Sequence, residues 1–227
     1  MKELYFLKIA AAFIRGRALN SLVDLPDIFI EKPLEELSQN ELAEIFHLGL
    51  RAGLKLHKFK KTMALARVQR VFGILRALSP QELLDVGSGR GTFLWPLVDS
   101  FPELTITSID KDIKRVEAVQ AVKDGGLYSL NAYLMDATNI DFPDSHFDVV
   151  TILEVLEHIK EAQQALSEVV RCSRRFVILS VPSKPDDNPE HINLFNQRSL
   201  EEMFKVAGAQ KVTFEYVLNH IIAVAKK

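Results

Sequence analysis

The chain has 227 residues, 48% of them hydrophobic and 26% charged, with a formal net charge of -2. That is the composition of a soluble globular protein, long enough for one α/β domain plus a small appendage, and the net charge favours no class of partner. The single cysteine, Cys172, excludes an internal disulfide and a cysteine-based zinc site, and the lack of any apolar run of about 18 residues excludes a membrane-spanning helix.

Met1–Ile14 is apolar but carries Lys8 in its middle and Arg15 and Arg17 after it. It lacks the uninterrupted core and cleavage site of a signal peptide, so an amphipathic helix and a cytoplasmic protein are expected. Leu4, Leu7, Ala11, Ile14 and Ala18 recur at helical spacing, and Asp24-Leu25-Pro26 reads as a break. Ser38 followed by Glu41 is a capping-box signature, with Leu42, Ile45, Phe46, Gly49 and Leu50 on one face of the helix it opens. A third helix is predicted from about Thr62 to Leu78, with Val68, Val71, Phe72 and Leu75 inward. Residues 1–78 therefore read as a helical extension whose apolar stripes need cover.

From Ile45 to Gln81 there is no acidic residue after Ile45, while Arg51, Lys55, Lys58, Lys60, Lys61, Arg67, Arg70 and Arg76 are basic. Two readings stay open for Arg51–Arg76. One is a solvated helix face, and the other is a dock for an anionic group. Phe59 and Phe72 fit a helix core as well as they fit base stacking, so nucleic acid is weakly supported.

After Ser79 strands alternate with helices. Leu83, Leu84 and Val86 form a buried-strand run broken by Asp85, followed by Gly87, Gly89 and Gly91 and a helix-like segment. Such a strand–glycine turn–helix suits a nucleoside-bearing cofactor, because glycine permits positive φ and a close ligand approach. A dinucleotide fingerprint would need glycine where Thr92 stands. Further strands are predicted at Leu104–Ile109, Ala132–Met135, Phe147–Leu153 and Phe176–Val181, with helices at Asp112–Lys123, Lys160–Cys172 and Ser199–Val206. Pro182–Asn196 reads as a polar loop, and Cys172, at a helix-to-strand junction, as a packed side chain. Lys211–Tyr216 and His220–Ala225 are too close together for a crossover helix and should pair antiparallel.

Ligands of open parallel sheets sit beyond the carboxyl ends of the strands. The candidates there are Asp85–Gly91, Asp110, Asp136-Ala137, Leu153–His158 and Pro182–Asn196. Asp110, about twenty residues past the glycines, can accept from both hydroxyls of a ribose, and the alternative is a surface acid starting a helix. Asp136 can accept from the exocyclic amine of adenine or close an Asx-turn.

Those residues resemble a known family. LLDVGSGRG, SID, MDAT, FPDSHFDVVTILEVLEHI and HINLFNQRSLEEMFKVAGAQ, in that order, are similar to class I S-adenosylmethionine-dependent methyltransferases from about residue 79 to the end. The resemblance implies a three-layer Rossmann-like α/β fold, with a mostly parallel seven-stranded sheet whose last strand is reversed. It divides the chain into an N-terminal helical cap, 1–78, and a methyltransferase domain, 79–227. It implies that Asp85, Gly87, Ser88, Gly89 and Gly91 hold the methionine part of the cofactor. Asp110 would hold the ribose, with its neighbour Lys111 also at the cofactor, Asp136 and Ala137 the adenine edge, and Leu153 and Glu154 the reacting end.

The expected reaction is methyl transfer to a small-molecule acceptor by in-line displacement, with the cap shaping the acceptor pocket. A base is needed only where the acceptor must lose a proton. His158 and His191 are the candidate catalytic residues. No metal is expected, but Glu154, Glu157, His158 and His191 form a set that could take a divalent ion, similar to the small-RNA 2′-O-methyltransferases of the same superfamily. The competing readings are such a metal-dependent RNA enzyme, a nicotinamide oxidoreductase, and a module that binds S-adenosylmethionine without catalysis. The sequence specifies neither the acceptor nor the oligomeric state.

Overall fold

In this computed structural model the residues described are 5–61 and 65–227. Leu4 of the first apolar stripe, the Met1–Leu4 end of the amphipathic reading, and Thr62 as a helix start lie outside them. Seven strands form one sheet: β1 (Glu82–Val86), β2 (Thr105–Asp110), β3 (Leu130–Leu134), β4 (Phe147–Leu153), β5 (Ser173–Pro182), β6 (Lys211–Val217) and β7 (His220–Lys226). Their order is β3-β2-β1-β4-β5-β7-β6. β4 runs parallel to β1 and β5, whereas β7 runs antiparallel to both β5 and β6. The short link Leu218-Asn219 is why the last two strands form a hairpin.

The chain divides into two compact units. The first comprises described residues 5–61 with Ser88–Ser108 and Asp112–Tyr133. It holds α1 (Leu7–Leu19), α2 (Asp27–Glu31) and α3 (Gln39–Arg51), together with the later helices over Leu94–Ser100 and Ile113–Asp124. Ser38 caps α3 as expected: it accepts from Glu41 N at 3.3 Å and its own N–H donates to Glu41 Oε2 at 2.7 Å. Leu42, Ile45, Phe46 and Gly49 are buried, but Leu50 is 46% exposed and lies off that face.

The amphipathic reading of the first helix needs correction. Every residue from Ile9 to Gly16 is buried, Arg15 included. A helix covered on all sides belongs to a core. Arg15 is accommodated because its Nη2 donates to the carbonyls of Ile30 and Lys32, each at 2.9 Å. Close helix packing explains the rest: a methyl group on Gly16 would meet the Ala121 carbonyl oxygen at 1.9 Å.

The second unit comprises residues 65–87, Ile109–Lys111 and Leu134–Lys227. It contains α4 (Ala66–Leu78), which packs on β6 with Val68, Val71, Phe72 and Leu75 buried. α5 is the helix Leu94–Ser100 and α6 the helix Ile113–Asp124, both of the first unit. α7 (Ala162–Cys172) packs on β4 and β5, and α8 (Gln197–Val206) on β6 and α7. Val150, Ile152, Leu166, Val169, Leu179 and Phe204 lie in this unit's buried core. Cys172 is buried there too, and burial pushes its thiol up to about 11, which suits packing rather than nucleophilic chemistry.

Candidate functional site

Within the second unit, three successive parallel-strand ends are tied together by the backbone. Gly87 N donates to Ile109 O at 2.8 Å, and Met135 N donates to Asp110 O at 3.2 Å. Asp85 and Asp110, both buried, stand at these ends. Thr151 on β4 donates its hydroxyl to Asp85 Oδ1 at 2.9 Å. Asp85 Oδ2 is buried with no partner among the described residues. Burial pushes the Asp85 carboxyl up to about 7; the Thr151 hydrogen bond opposes this and the nearby Asp110 adds to it. A buried acid with one unused oxygen, beside a second acid, is a receptacle for a group bearing positive charge and N–H donors.

Gly87 has φ +73°, and a methyl group there would meet Val155 Cγ2 at 2.6 Å, so only glycine fits this turn. The next residues belong to the first unit. Gly91 N donates to Ser88 O at 2.9 Å, and Trp95 Nε1 donates to Arg90 O at 3.2 Å. A methyl group on Gly91, at φ +83°, would meet Trp95 Nε1 at 2.0 Å. Ser88 Oγ is buried without a partner among the described residues. Gly89 lies between them, and α5 begins only at Leu94.

Asp136 is exposed and closes the Asx-turn that was its alternative reading, accepting from Thr138 N at 2.8 Å and Thr138 Oγ1 at 2.7 Å. Those bonds, with Lys111 nearby, hold its carboxyl below the usual range. Ala137 is half-buried against the core.

The expected grouping of Glu154 with Glu157, His158 and His191 needs correction. Leu153 ends β4, and Glu154 turns at φ +59° into a 3-10 turn over Leu156–His158. That left-handed residue swings its side chain away from the other three. Glu154 Oε1 accepts from Ser180 Oγ at 2.6 Å, and Oε2 lies 3.0 Å from His220 Nε2. Arg67 Nε stands 3.8 Å from Oε1. Thr151, Ser180 and His220 were missed from the sequence because nothing local marks them, and Arg67 entered only as part of a charge run.

Glu157, His158 and His191 do come together, each offering one ligand atom within 4.8 Å of the others, enough to hold a divalent ion. Nδ1 of His158 lies 3.0 Å from the Glu190 carbonyl, and Nδ1 of His191 lies 2.9 Å from Asp186. Glu157 is 1% exposed, with neither carboxylate oxygen partnered among the described residues. Burial pushes it up to about 8.

The basic stretch is not one face. Arg70 pairs with Glu215 and Arg67 with Glu154 in the second unit. In the first unit Lys61 pairs with Asp99 at 3.3 Å, and Lys58 sits 4.3 Å from the Phe13 ring centroid. Burial pulls Lys58 down to about 8.

The sheet order, with a reversed β7 placed between β5 and β6, differs from the dinucleotide-binding order and defines a class I methyltransferase fold. The comparisons agree. Residues 84–179 match the family model described as "Methyltransferase domain". Over that stretch, under half of the chain, it is similar to a methyltransferase domain, which agrees with the resemblance to the class I, S-adenosylmethionine-dependent type.

A demethylmenaquinone methyltransferase of Thermotoga maritima is 29% identical over 117 residues, 50% of this chain and 49% of that one. One from Bacteroides fragilis is 24% identical over 66% of this chain and 63% of that one. A ubiquinone/menaquinone biosynthesis C-methyltransferase of Ectopseudomonas mendocina is 27% identical over 74% and 68%. The chain spans about half of the first relative and under two thirds of the second.

Among solved structures, the magnesium protoporphyrin IX methyltransferase of Synechocystis with bound S-adenosylhomocysteine has a TM-score of 0.57 at 19% identity, covering 71% of this chain and 82% of that one. A [4+2]-cyclase has a TM-score of 0.56 at 17% identity, covering 70% and 82%. The fold alone therefore does not fix the reaction.

Proposed function

We propose that the protein transfers a methyl group from S-adenosylmethionine to a small-molecule acceptor. The observation that carries this is Asp85, buried beside Asp110 with one oxygen unused. Asp85, Gly87, Ser88, Gly89 and Gly91 would hold the amino-acid end of the cofactor. Its ammonium group would offset the two buried carboxyls. Asp110 and Lys111 would serve the ribose, Asp136 and Ala137 the adenine edge, and Leu153 the reacting end. Bound there, the cofactor supplies an already activated methyl group on a cationic sulfur. The protein's own residues orient the two reactants and exclude water.

A small acceptor is favoured because the relatives' names give quinone and porphyrin acceptors. The separate partners of Arg67, Arg70, Lys58 and Lys61 weaken the reading of Arg51–Arg76 as a continuous nucleic-acid track. The family match starts at Leu84, which supports 79–227 as the catalytic domain and 1–78 as an N-terminal extension. No helix among the described residues is long and apolar enough to cross a membrane, and a cytoplasmic location is proposed.

Tritium transfer from methyl-labelled S-adenosylmethionine tests the reading. Label should enter quinols, phenols or porphyrins, and persist after chelation. Label entering only RNA, and only with a divalent metal, would replace it with the metal-dependent RNA reading.

A further inference from the structure

His220 opens β7, and β7 runs against β5 with His220 opposite Pro182. Its antiparallel course brings this first residue to the carboxyl ends of β4 and β5, the edge where an open parallel sheet receives its ligands. Had β7 run parallel, the same residue would sit at the opposite edge. Glu154 arrives at that edge from β4, Ser180 from β5 and Arg67 from α4. All four belong to the second unit.

The bonding leaves Glu154 little freedom. Ser180 fixes Oε1, Ser180 O receives the Glu154 N–H at 2.9 Å, and His220 Nε2 meets Oε2 at 3.0 Å. Glu154 reaches them only by adopting φ +59°. A non-glycine residue in the left-handed region is held there against a steric cost, and such strain clusters at functional sites. His220, Glu154 and Arg67 side chains each keep 23% of their exposure, so the group remains open to a small molecule. A carboxylate on Nε2 fixes the tautomer: Nε2 carries the hydrogen and Nδ1 presents a lone pair.

We propose that His220, oriented by Glu154, is the base that takes the proton from the acceptor, and that the acceptor bears a phenol-type hydroxyl. This rests on the methyl-transfer reading above. The acceptor O–H bond breaks with its electron pair left on oxygen, and the proton forms an N–H bond at Nδ1. The imidazolium is held by the Glu154 carboxylate and returns its proton to solvent. Arg67 places a fixed positive charge beside Glu154, where it can also balance the acceptor oxyanion. Glu157, whose buried carboxyl interacts electrostatically with Glu154, Arg67 and Asp186, is pushed up to about 8 by that burial. A phenol fits because its proton leaves near pH 10 in water, within reach of an imidazole base. An aromatic amine can attack through its own lone pair, and a thiol ionises near neutral pH, so neither calls for this arrangement.

The test compares wild type with His220→Gln and Glu154→Gln. Calorimetry with S-adenosylmethionine comes first, then transfer to 1,4-naphthohydroquinone and to a panel of phenols over pH 5–9. Nitrogen-15 histidine NMR of the unreacted protein supplies a readout independent of turnover. The expected result is unchanged cofactor affinity in both variants. His220→Gln should lose about 100-fold or more in kcat and the ionisation on the acidic limb of the pH profile, the size typical of a lost general base. The NMR spectrum should show hydrogen on Nε2 of His220, altered in Glu154→Gln and shifted by a bound phenol.

Cofactor binding with undiminished kcat and an unchanged pH profile in His220→Gln would overturn the assignment and leave the methyl-transfer reading standing. Turnover of none of the phenols by cofactor-bound wild type, or hydrogen on Nδ1, would overturn it too. Absence of cofactor binding in wild type would instead remove the reading on which it rests.

Discussion

Thr151 holds one oxygen of Asp85 at 2.9 Å, and the other oxygen of the same carboxyl is buried and unpartnered among the described residues. An unsatisfied buried acceptor costs on the order of 1–3 kcal/mol. A cationic ligand with N–H donors turns that cost into affinity. Asp85→Asn should therefore move binding and stability in opposite directions. Affinity for S-adenosylmethionine should fall at least about 10-fold, as expected for a lost charge-assisted bond. The ligand-free protein at pH 8 should be as stable as wild type or more so, because a buried charge is gone. Calorimetry and thermal melts on the same preparation check both signs.

The raised acids set a pH dependence. Asp85 titrates at about 7 and Glu157 at about 8 in the folded protein, both above their unfolded values near 4. Between those limits the folded state binds more protons than the unfolded one. Their contribution is fully present below the unfolded pKa and is lost as pH rises through the folded pKa. Ligand-free protein should lose at least about 1 kcal/mol between pH 5 and 8. Glu157→Gln should recover part of that loss. Asp136, Asp148 and Glu168, all held low, act in the opposite sense and only in more acidic solution. Urea unfolding at several pH values measures it.

Gly87→Ala meets two separate obstacles. At φ +73° the new residue is strained, and its methyl group would strike Val155 at 2.6 Å. The expected loss is about 1–3 kcal/mol of stability. Gly87→Ala with Val155→Ala should recover the steric part and leave the backbone part. Full recovery in the double variant would contradict the backbone argument.

Much of this unit was legible because its signals are local. Asp110 ends a strand whose apolar run stops with it, and the two-residue link before His220 forces a hairpin. The failures were non-local. Lys8, Arg15 and Arg17 made the first helix read as amphipathic, but Arg15 is taken inside by carbonyls of a later segment. Glu154 groups with Glu157 and His158 by sequence spacing, but the left-handed backbone at Glu154 breaks that spacing. His220 carried no motif, and only the pairing of β7 with β5 reveals its relation to Glu154.

Helix packing in the first unit gives a test independent of any ligand. A methyl group at Gly16 would lie 1.9 Å from Ala121 O, and one at Gly125 would lie 1.7 Å from Ala12 O. In each case backbone, not a flexible side chain, is in the way. Gly16→Ala and Gly125→Ala should each cost about 1–3 kcal/mol or more. Gly73→Ala, where nothing lies within 4 Å, should be neutral or stabilising by up to about 1 kcal/mol. Chemical denaturation of the three variants separates close packing from a general intolerance of alanine.

Calorimetric titration of the whole chain with S-adenosylmethionine and, in parallel, with NAD bears most directly on the central claim. One molecule of S-adenosylmethionine should bind per chain, NAD should give no heat, and Asp110→Asn should weaken binding about 10-fold or more. Saturable binding of NAD with none of S-adenosylmethionine would contradict the account.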